Sequence, residues 1–276
     1  MKRSFFSILF LAAAGLASAQ VVATRDNGNT TIRGTVAGYK LNADRSTRYV
    51  LHGTAGNPAS ISQRTAEGTL DITAQQELDI TFKTVKGKDV VTVAKATGNV
   101  KVVRTLVSDK SSTTITGSQA DYSRKGDEGT MDLAGPVKIV RTNEAKKQIM
   151  IATGKRGQAV LLPDSKKDSL RSATLIGDVD IDVEQAPYTD PDSKEVKAGR
   201  YKAGGGRLVY DLTGALPKVT LTENVRLDGQ SDDNNMISTG IAKLLMNLNE
   251  KNELVDAEAF GGPVETIVTP KKPGGK

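Results

Sequence analysis

The stretch "LAGPVKIVR", from Leu133 to Arg141, occurs a second time in this chain in almost the same form. The segment from Ala96 to Arg104, 37 positions earlier, reads "ATGNVKVVR". In both copies apolar and basic residues alternate, which is the period-two pattern of a β-strand with one apolar face. A strand that recurs in this way predicts a building block of a larger, repetitive β structure.

The central part of this phrase, a turn residue pair followed by Val-x-Val or a close variant, occurs five times. The copies begin at Gly98, Gly135, Gly177, Glu223 and Gly262, with spacings of 37, 42, 46 and 39 residues. The two longest intervals contain turn-rich insertions, at 161–169 and 186–194, which loops can absorb. The pattern predicts a repeat of about forty residues.

A second phrase places a tyrosine five residues after a glycine. It occurs as Gly34 to Tyr39, Gly117 to Tyr122 and Gly205 to Tyr210, and the last two tyrosines each lie 13 residues before a copy of the first phrase. This distance fits a strand end, a tight turn, a return strand and a further turn before the first phrase begins.

Most of the remaining chain also predicts strands, because Val, Ile and Thr alternate with polar residues between Gly, Asn, Asp and Pro. The segment "GIAKLLMNLNEKNEL", from Gly240 to Leu254, is the best helix candidate after residue 19, but its place in the repeat favours a strand. We therefore expect an all-β protein of stacked strands, each of which leaves its apolar face to be covered by its neighbours.

The two ends of the chain are set apart from this body. Residues 1–19 contain Lys2 and Arg3, an apolar run and the small-residue site Ala17-Ser18-Ala19, which predicts a cleavable secretory signal peptide and a periplasmic protein. An uncleaved membrane anchor is the alternative. We expect the β structure to occupy 20–269, as one stack or two consecutive units, and 270–276 to form a flexible Pro/Gly/Lys tail.

Composition excludes several classes of function. Five of the 38 basic residues lie in the signal or the tail, so the body carries 33 basic against 32 acidic residues, and with no Trp and 4% aromatic residues nucleic-acid binding is not expected. The chain has no Cys and one histidine, His52. Catalytic Cys-His pairs and zinc sites with several histidines are therefore excluded, and a Ser-His-Asp triad could use only His52. We expect no enzyme activity, no cofactor and no metal.

The segment "GDVDIDVE", from Gly177 to Glu184, separates its side chains by charge. Val179 and Ile181 point to one side of the strand, whereas Asp180 and Asp182 point to the other. The acidic side is either a solvated face whose like charges discourage aggregation or a site for shared cations such as calcium. The solvated face is the interpretation that we carry forward.

The apolar residues of the repeated phrase would all face one way if its copies are structurally equivalent. They form either an ordinary closed core or the lining of a lengthwise apolar groove that shelters acyl chains, and the sequence does not separate the two. These candidate groove residues are Val100, Val102, Val137, Ile139, Val179, Ile181, Val225, Leu227 and Val264.

Two longer stretches carry a resemblance to a known family. "ITGSQADYSRKGDEGTMDLAGPVKIVR" and "GGGRLVYDLTGALPKVTLTENVRLDGQ" resemble the OstA-like family of lipopolysaccharide-transport proteins, particularly the soluble periplasmic LptA type. The likeness consists of a tyrosine, a short turn, a hydrophobic strand and then Gly-x-Val-x-Ile. It covers 34–268 and is clearest at 117–141 and 205–227.

This resemblance implies an elongated, open β-jellyroll of stacked antiparallel strands that carries lipopolysaccharide or a related lipid to the outer membrane. It also implies LptC-type and LptD-type protein partners at the two ends and head-to-tail homo-oligomers. Glu223 in a glycine position, an irregular copy after Val264 and the long chain depart from the family pattern. They leave open an LptC-like role or another lipid. The alternative is a structural periplasmic or secreted β-stack with a closed core and no ligand.

Overall fold

The computed structural model describes residues 20–25, 29–64, 68–85, 88–107, 110–162, 170–189, 194, 196–230, 234–248, 254–262 and 264–270. The expected signal peptide and residues 271–276 of the expected tail lie outside the described residues. Within these ranges the chain forms sixteen antiparallel strands and no helix, so the all-β prediction is confirmed. The strands are β1 (Gln20–Arg25), β2 (Thr30–Leu41), β3 (Thr47–His52), β4 (Ala59–Arg64), β5 (Gly68–Ala74), β6 (Glu77–Val85), β7 (Lys88–Leu106), β8 (Ser111–Lys125), β9 (Glu128–Asn143), β10 (Gln148–Leu161), β11 (Leu170–Thr189), β12 (Val196–Asp211), β13 (Lys218–Gln230), β14 (Asn234–Leu248), β15 (Leu254–Phe260) and β16 (Glu265–Pro270).

Strands β7 to β14 form a simple meander, in which each strand pairs with the next one along the chain. They are 13 to 20 residues long, longer than most strands of globular proteins. The sequence of residues 240–248 is compatible with a helix or a strand. In the structure these residues belong to β14, which confirms the strand interpretation.

Every strand of this meander is interrupted near its middle. The register with the neighbouring strand shifts at one or two residues, as in a β-bulge, and the strand bends there. We call this line of bends the seam. Its residues are Gly98-Asn99, Gly117-Ser118, Gly135-Pro136, Lys155, Gly177-Asp178, Gly205-Gly206, Glu223-Asn224 and Gly240.

The seam explains why the phrases contain glycine at fixed places. Gly98 and Gly177 have φ values of +77° and +80°, in the left-handed region that glycine adopts without steric cost. The first four copies of the first phrase are therefore the middle of a strand where it crosses the seam, and no turn precedes them. The sequence-based prediction of a turn before Gly135 is corrected by β9, which runs without interruption from Glu128 to Asn143.

The bends divide the sheet into two faces that cover each other. A single sheet leaves both sides to solvent, yet Val137 is 0% exposed and belongs to one continuous core with residues from both sides of the seam. Among the described residues, face A consists of 20–25, 29–33, 59–64, 68–74, 100–107, 110–117, 137–154, 179–189, 196–205, 225–230, 234–239 and 265–270, and face B of 35–52, 77–85, 88–97, 119–134, 156–162, 170–176, 207–222, 241–248 and 254–260.

At the N-terminal end, the two faces are built mostly from separate short strands, although β2 crosses from face A to face B at Gly34. Strands β4 and β5 belong to face A and β3 and β6 to face B, and the pairings β7–β5–β4–β2–β3–β6–β7 close a ring. The loop at 53–58 and the turn at Gln75-Gln76 occupy the place of the seam there. The backbone N–H groups of Gln75 and Gln76 donate to the carbonyl oxygens of Gly98 and Thr97 and join this turn to β7.

Candidate functional site

The interior between the two faces is the candidate site, and eight of the nine predicted groove residues face it. The four valines beside the seam, Val100, Val137, Val179 and Val225, are fully buried. One step farther from the seam, Val102 is buried and Ile139, Ile181 and Leu227 are partly buried against the same core. Val264 differs: it precedes β16, lies outside any strand and is 41% exposed.

Inward residues of face A form an unbroken line across the strands, which we call row A. Each member is the register partner of the next, so these side chains lie side by side about 4.8 Å apart. From β7 to β14 the row spans eight strands, or about 34 Å. Row A comprises Ala23, Ile32, Ile61, Ile72, Val102, Ile115, Ile139, Ala152, Ile181, Ala203, Leu227, Ser238 and Thr266.

Face B presents a matching line, row B, next to the seam. Seven of its twelve members are leucines, and it supplies much of the interior that row A faces. Row B comprises Val36, Leu51, Leu78, Ala96, Ala120, Leu133, Gly157, Leu175, Leu208, Leu221, Leu244 and Ala259. Tyr122 and Tyr210 of the second phrase lie one step farther out on the same face.

A third line, the mouth row, lies on face A one step farther from the seam than row A. Arg25 and Thr30 are buried, most of the middle members are partly buried, and Tyr201 and Val268 are 49% and 55% exposed, whereas Gln63 is exposed and Gly229 is buried. The interior is therefore apolar and buried at its base, and the cover of its mouth varies from strand to strand. The mouth row comprises Arg25, Thr30, Gln63, Leu70, Arg104, Thr113, Arg141, Met150, Val183, Tyr201, Gly229, Met236 and Val268.

At the N-terminal end, Arg25 crosses the mouth from face A to face B. Its Nη2 donates to the hydroxyl of Thr47 at 3.3 Å, its Nε lies 3.5 Å from the Asp89 carboxylate, and its guanidinium carbon lies 4.7 Å from the centre of the Phe82 ring. Tyr49 packs edge-on against Phe82, and burial raises the pKa of its phenol. These contacts hold the two faces together at that end.

The acidic side of β11 lies on the outer surface. Asp182 accepts two hydrogen bonds from Arg200 of the neighbouring strand, at 3.0 and 2.5 Å, which lowers the pKa of that carboxyl. Asp178 forms an exposed ion pair with Lys155 at 2.6 Å. Among the described residues there is no group of three or more His, Asp or Glu side chains that could hold a metal. These contacts pair the acidic side chains of β11 with basic side chains on the outer surface.

The structure adds residues that the sequence reading missed. The arginines of the mouth row carry a signal in the repeated phrase itself, because Arg104 and Arg141 occupy the same final position in "VKVVR" and "VKIVR". Arg25 lies outside both phrases, and its contact with Asp89 joins residues 64 positions apart, so no sequence spacing identifies it.

The edges of the structure are open at both ends. Within the described residues, β1 and the face B part of β2 pair on one side only, as do β15 and β16 at the opposite end. Large apolar side chains lie exposed there, including Val22 and Leu41 at the first end and Ile267 and Val268 at the other. Such edges offer unpaired backbone groups to another strand.

Comparison with family models, with curated proteins and with solved structures finds no match to this chain. Within the part of the chain that the structure describes, no helix has the length and hydropathy needed to cross a membrane.

Proposed function

We propose that this protein is a non-enzymatic periplasmic carrier of an amphipathic lipid, lipopolysaccharide or a related molecule, whose acyl chains lie between faces A and B. In this proposal the folded sheet is an open jellyroll built from units of about forty residues, similar to the OstA-like family. The observation that carries the proposal is the layered interior: apolar rows run across the strands, are buried beside the seam and are less covered at the mouth, where Tyr201 is 49% exposed.

The energetics of such a site are favourable. Each buried CH₂ group contributes about 0.8 kcal/mol, so a chain of a dozen carbons would gain on the order of 10 kcal/mol before the costs of ordering it. Row A presents equivalent apolar positions on successive strands, which would allow a lipid to move along the protein without chemistry. The open strand edges at both ends would receive LptC-type and LptD-type partners or further copies of this chain.

The alternative is a structural stack without a ligand. The complete burial of Val137 and Leu221 favours it, because these side chains leave no uncovered space beside the seam. The two proposals differ in what they require of the mouth. A lipid carrier needs an open mouth, whereas a scaffold does not use one. A hydrophobic fluorophore that binds the fully folded protein supports the carrier, whereas the absence of binding supports the scaffold.

The direct test is mass spectrometry of lipids extracted from the protein after gentle purification from its native envelope. The carrier proposal expects lipopolysaccharide or a lipid A-like molecule in stoichiometric amount. The carrier proposal would be overturned if the purified protein contains no lipid and does not bind added lipid.

A substitution in row A sharpens this test. Ile181→Asp places a carboxylate in the middle of the apolar row and should weaken lipid binding at least tenfold, because burying a charge is costly. Lys95→Asp, on the outer side of β7, is the control for added negative charge and should leave binding unchanged. A folded Ile181→Asp protein with full lipid retention would show that row A does not line the site.

A further inference from the structure

A cleft of about 820 Å³ lies at the seam between β13 and β14. Clefts of about 300–1,000 Å³ are typical of sites for small molecules. Five polar side chains line it, and four of them are exposed, so the cleft opens on the outer surface and is separate from the interior between the two faces. The polar lining consists of Thr222, Glu223, Asn224, Arg226 and Thr239.

The cleft forms where both strands bulge. Val225 and Ile241 are buried register partners, and the ladder between β13 and β14 shifts on each side of this pair. On one side Glu223 and Asn224 of β13 lie opposite a single residue of β14, and on the other side 239–240 of β14 lie opposite a single residue of β13. The other neighbouring strands described in the meander shift once at the seam. Bulges re-aim side chains and are frequent beside active sites.

Glu223 departs from the repeat at this cleft. The preceding copies have glycine at the same position, whereas Glu223 has a φ of +68°, a conformation that is costly for a residue with a side chain. Its side chain lies against Gly206 of β12, where a Cβ atom would collide with the carboxylate. Backbone strain of this kind concentrates at functional sites. The strained residue, the space beside it and the cleft thus coincide in one copy of the phrase.

The polar side chains of the cleft also differ from those at other bends of the seam in having no partner in the protein. Asn99 donates from Nδ2 to Oε1 of Gln75 at 2.8 Å, and Asp178 pairs with Lys155 at 2.6 Å. Within the described residues, neither side chain of the equivalent pair Glu223-Asn224 forms a hydrogen bond or an ion pair. Their hydrogen-bonding groups are therefore available to a ligand.

The chemistry of these groups narrows the class of ligand. The carboxylate of Glu223 accepts hydrogen bonds and disfavours an anion, and the amide of Asn224 both donates and accepts. Arg226, whose Nη2 lies 3.9 Å from the Asp228 carboxylate, has further N–H donors. Neighbouring hydroxyl groups of a sugar ring match this combination of donors and acceptors, and the apolar surface at Val225 can receive the C–H groups of the ring.

We infer that this cleft binds a saccharide of about one or two rings, with Glu223 and Asn224 hydrogen-bonded to its hydroxyl groups. The site goes beyond the proposed carrier function and does not depend on it, because it lies outside the interior. The saccharide belongs either to a glycan of the cell wall or to the sugar part of an amphiphile, which present the same hydroxyl chemistry.

The test is an NMR titration of the isotope-labelled protein with two disaccharides. N,N′-diacetylchitobiose represents a wall glycan, and the glucosamine disaccharide of lipid A, without phosphates and acyl chains, represents the amphiphile. The backbone amide signals of 222–226 and 239–242 should shift at millimolar concentrations of at least one of them. Glu223→Gly should weaken this binding about tenfold or more, because a hydrogen bond to a charged group contributes in that range.

Matched variants distinguish recognition from an effect on folding. Glu223→Gly introduces the residue that the preceding copies have, so the variant should fold. Asn224→Ala should also weaken binding, whereas Asn99→Ala changes the equivalent bend of β7 and should leave it unchanged. Glu223→Gln keeps the size and an acceptor oxygen and should retain part of the affinity. Fluorophore binding, which reports on the interior, should be the same in all four variants.

The outcomes separate this inference from the carrier function. If neither disaccharide shifts the amide signals of the cleft, or if full affinity survives in a folded Glu223→Gly protein, the saccharide site is overturned, and fluorophore binding still decides the carrier. If the signals shift and the two variants of the Glu223-Asn224 pair lose affinity, the site is supported, and the disaccharide that binds more tightly identifies the source of the sugar.

Discussion

The first six strands and the eight strands that follow them enclose the same interior in different ways. In the first region, short strands of 6 to 12 residues supply the two faces, with β2 contributing to both, and Arg25, Tyr49 and Phe82 meet across the mouth. In the second region each strand supplies both faces by bending at the seam, and the mouth row becomes exposed toward Tyr201. The same layer of residues is thus bridged by Arg25 in the first region, whereas Tyr201 and Val268 lie exposed in it farther along the chain.

This difference shows that closure of the interior depends on the side chains at the mouth. Rows A and B cross both regions without interruption, so the base of the interior is similar throughout. What changes is that in the first region a long, charged side chain of face A, Arg25, reaches two aromatic rings of face B. We therefore expect the first region to govern stability and the second to govern ligand binding.

The largest effect is expected from Phe82→Ala, which removes a buried ring from the closed end. The unfolding free energy should fall by about 3–5 kcal/mol, as in other truncations of buried aromatic residues. Guanidinium denaturation followed by far-UV circular dichroism measures it. Met131→Ala in the second region, where the side chain is partly buried, should cost about 1–2 kcal/mol; an equal cost for both would remove the distinction between the regions.

The next effect concerns the bridge itself. Arg25→Gln removes the contacts with Asp89 and the two rings and should cost about 2 kcal/mol, the range of hydrogen bonds to charged groups. It should also raise fluorophore binding, because the closed end can then open. Arg33→Gln, an exposed arginine on β2, is the control and should change neither quantity. Unchanged fluorophore binding in a destabilised Arg25→Gln protein would argue against a closed end.

A smaller effect, of opposite sign, is expected at the seam. Glu223 has a φ of +68° at a position where other copies of the phrase have glycine, and such a conformation costs about 1–2 kcal/mol for a residue with a side chain. Glu223→Gly should stabilise the protein by about 1 kcal/mol, because the greater freedom of glycine in the unfolded chain offsets part of the gain. Gly177→Glu is the reverse change and should destabilise; a stabilising result there would contradict the role of the seam.

The smallest effect appears only at alkaline pH. Burial raises the pKa of Tyr49, so its phenol stays neutral in the folded protein while the unfolded chain ionises near pH 10. Its contribution to stability is present below pH 10 and is lost as the pH rises above it. Tyr49→Phe should therefore flatten the decline of stability above about pH 10, measured against Tyr201→Phe, which changes an exposed tyrosine.

The sequence predicted much of the fold because short-range patterns determine it. Alternation of Val and Ile with polar residues identified the strands, and the inward direction of eight groove residues followed from that alternation. The failure at Val264 has a local reason: the last copy of the phrase is irregular after this residue, and the strand begins only at Glu265. The recurring glycines mark the positions of the seam, whereas the sequence pattern predicts turns between strands there.

The sequence by itself determined that the protein is an antiparallel β structure with an apolar and a polar side to each strand, because side-chain alternation is a property of neighbouring residues. Only the tertiary structure decided that glycines in mid-strand fold one sheet into two facing halves. It also decided that Arg25 crosses the mouth at one end and meets Asp89 of the opposite face. These are contacts between strands distant in the chain, and bends and register create them where no local pattern records them.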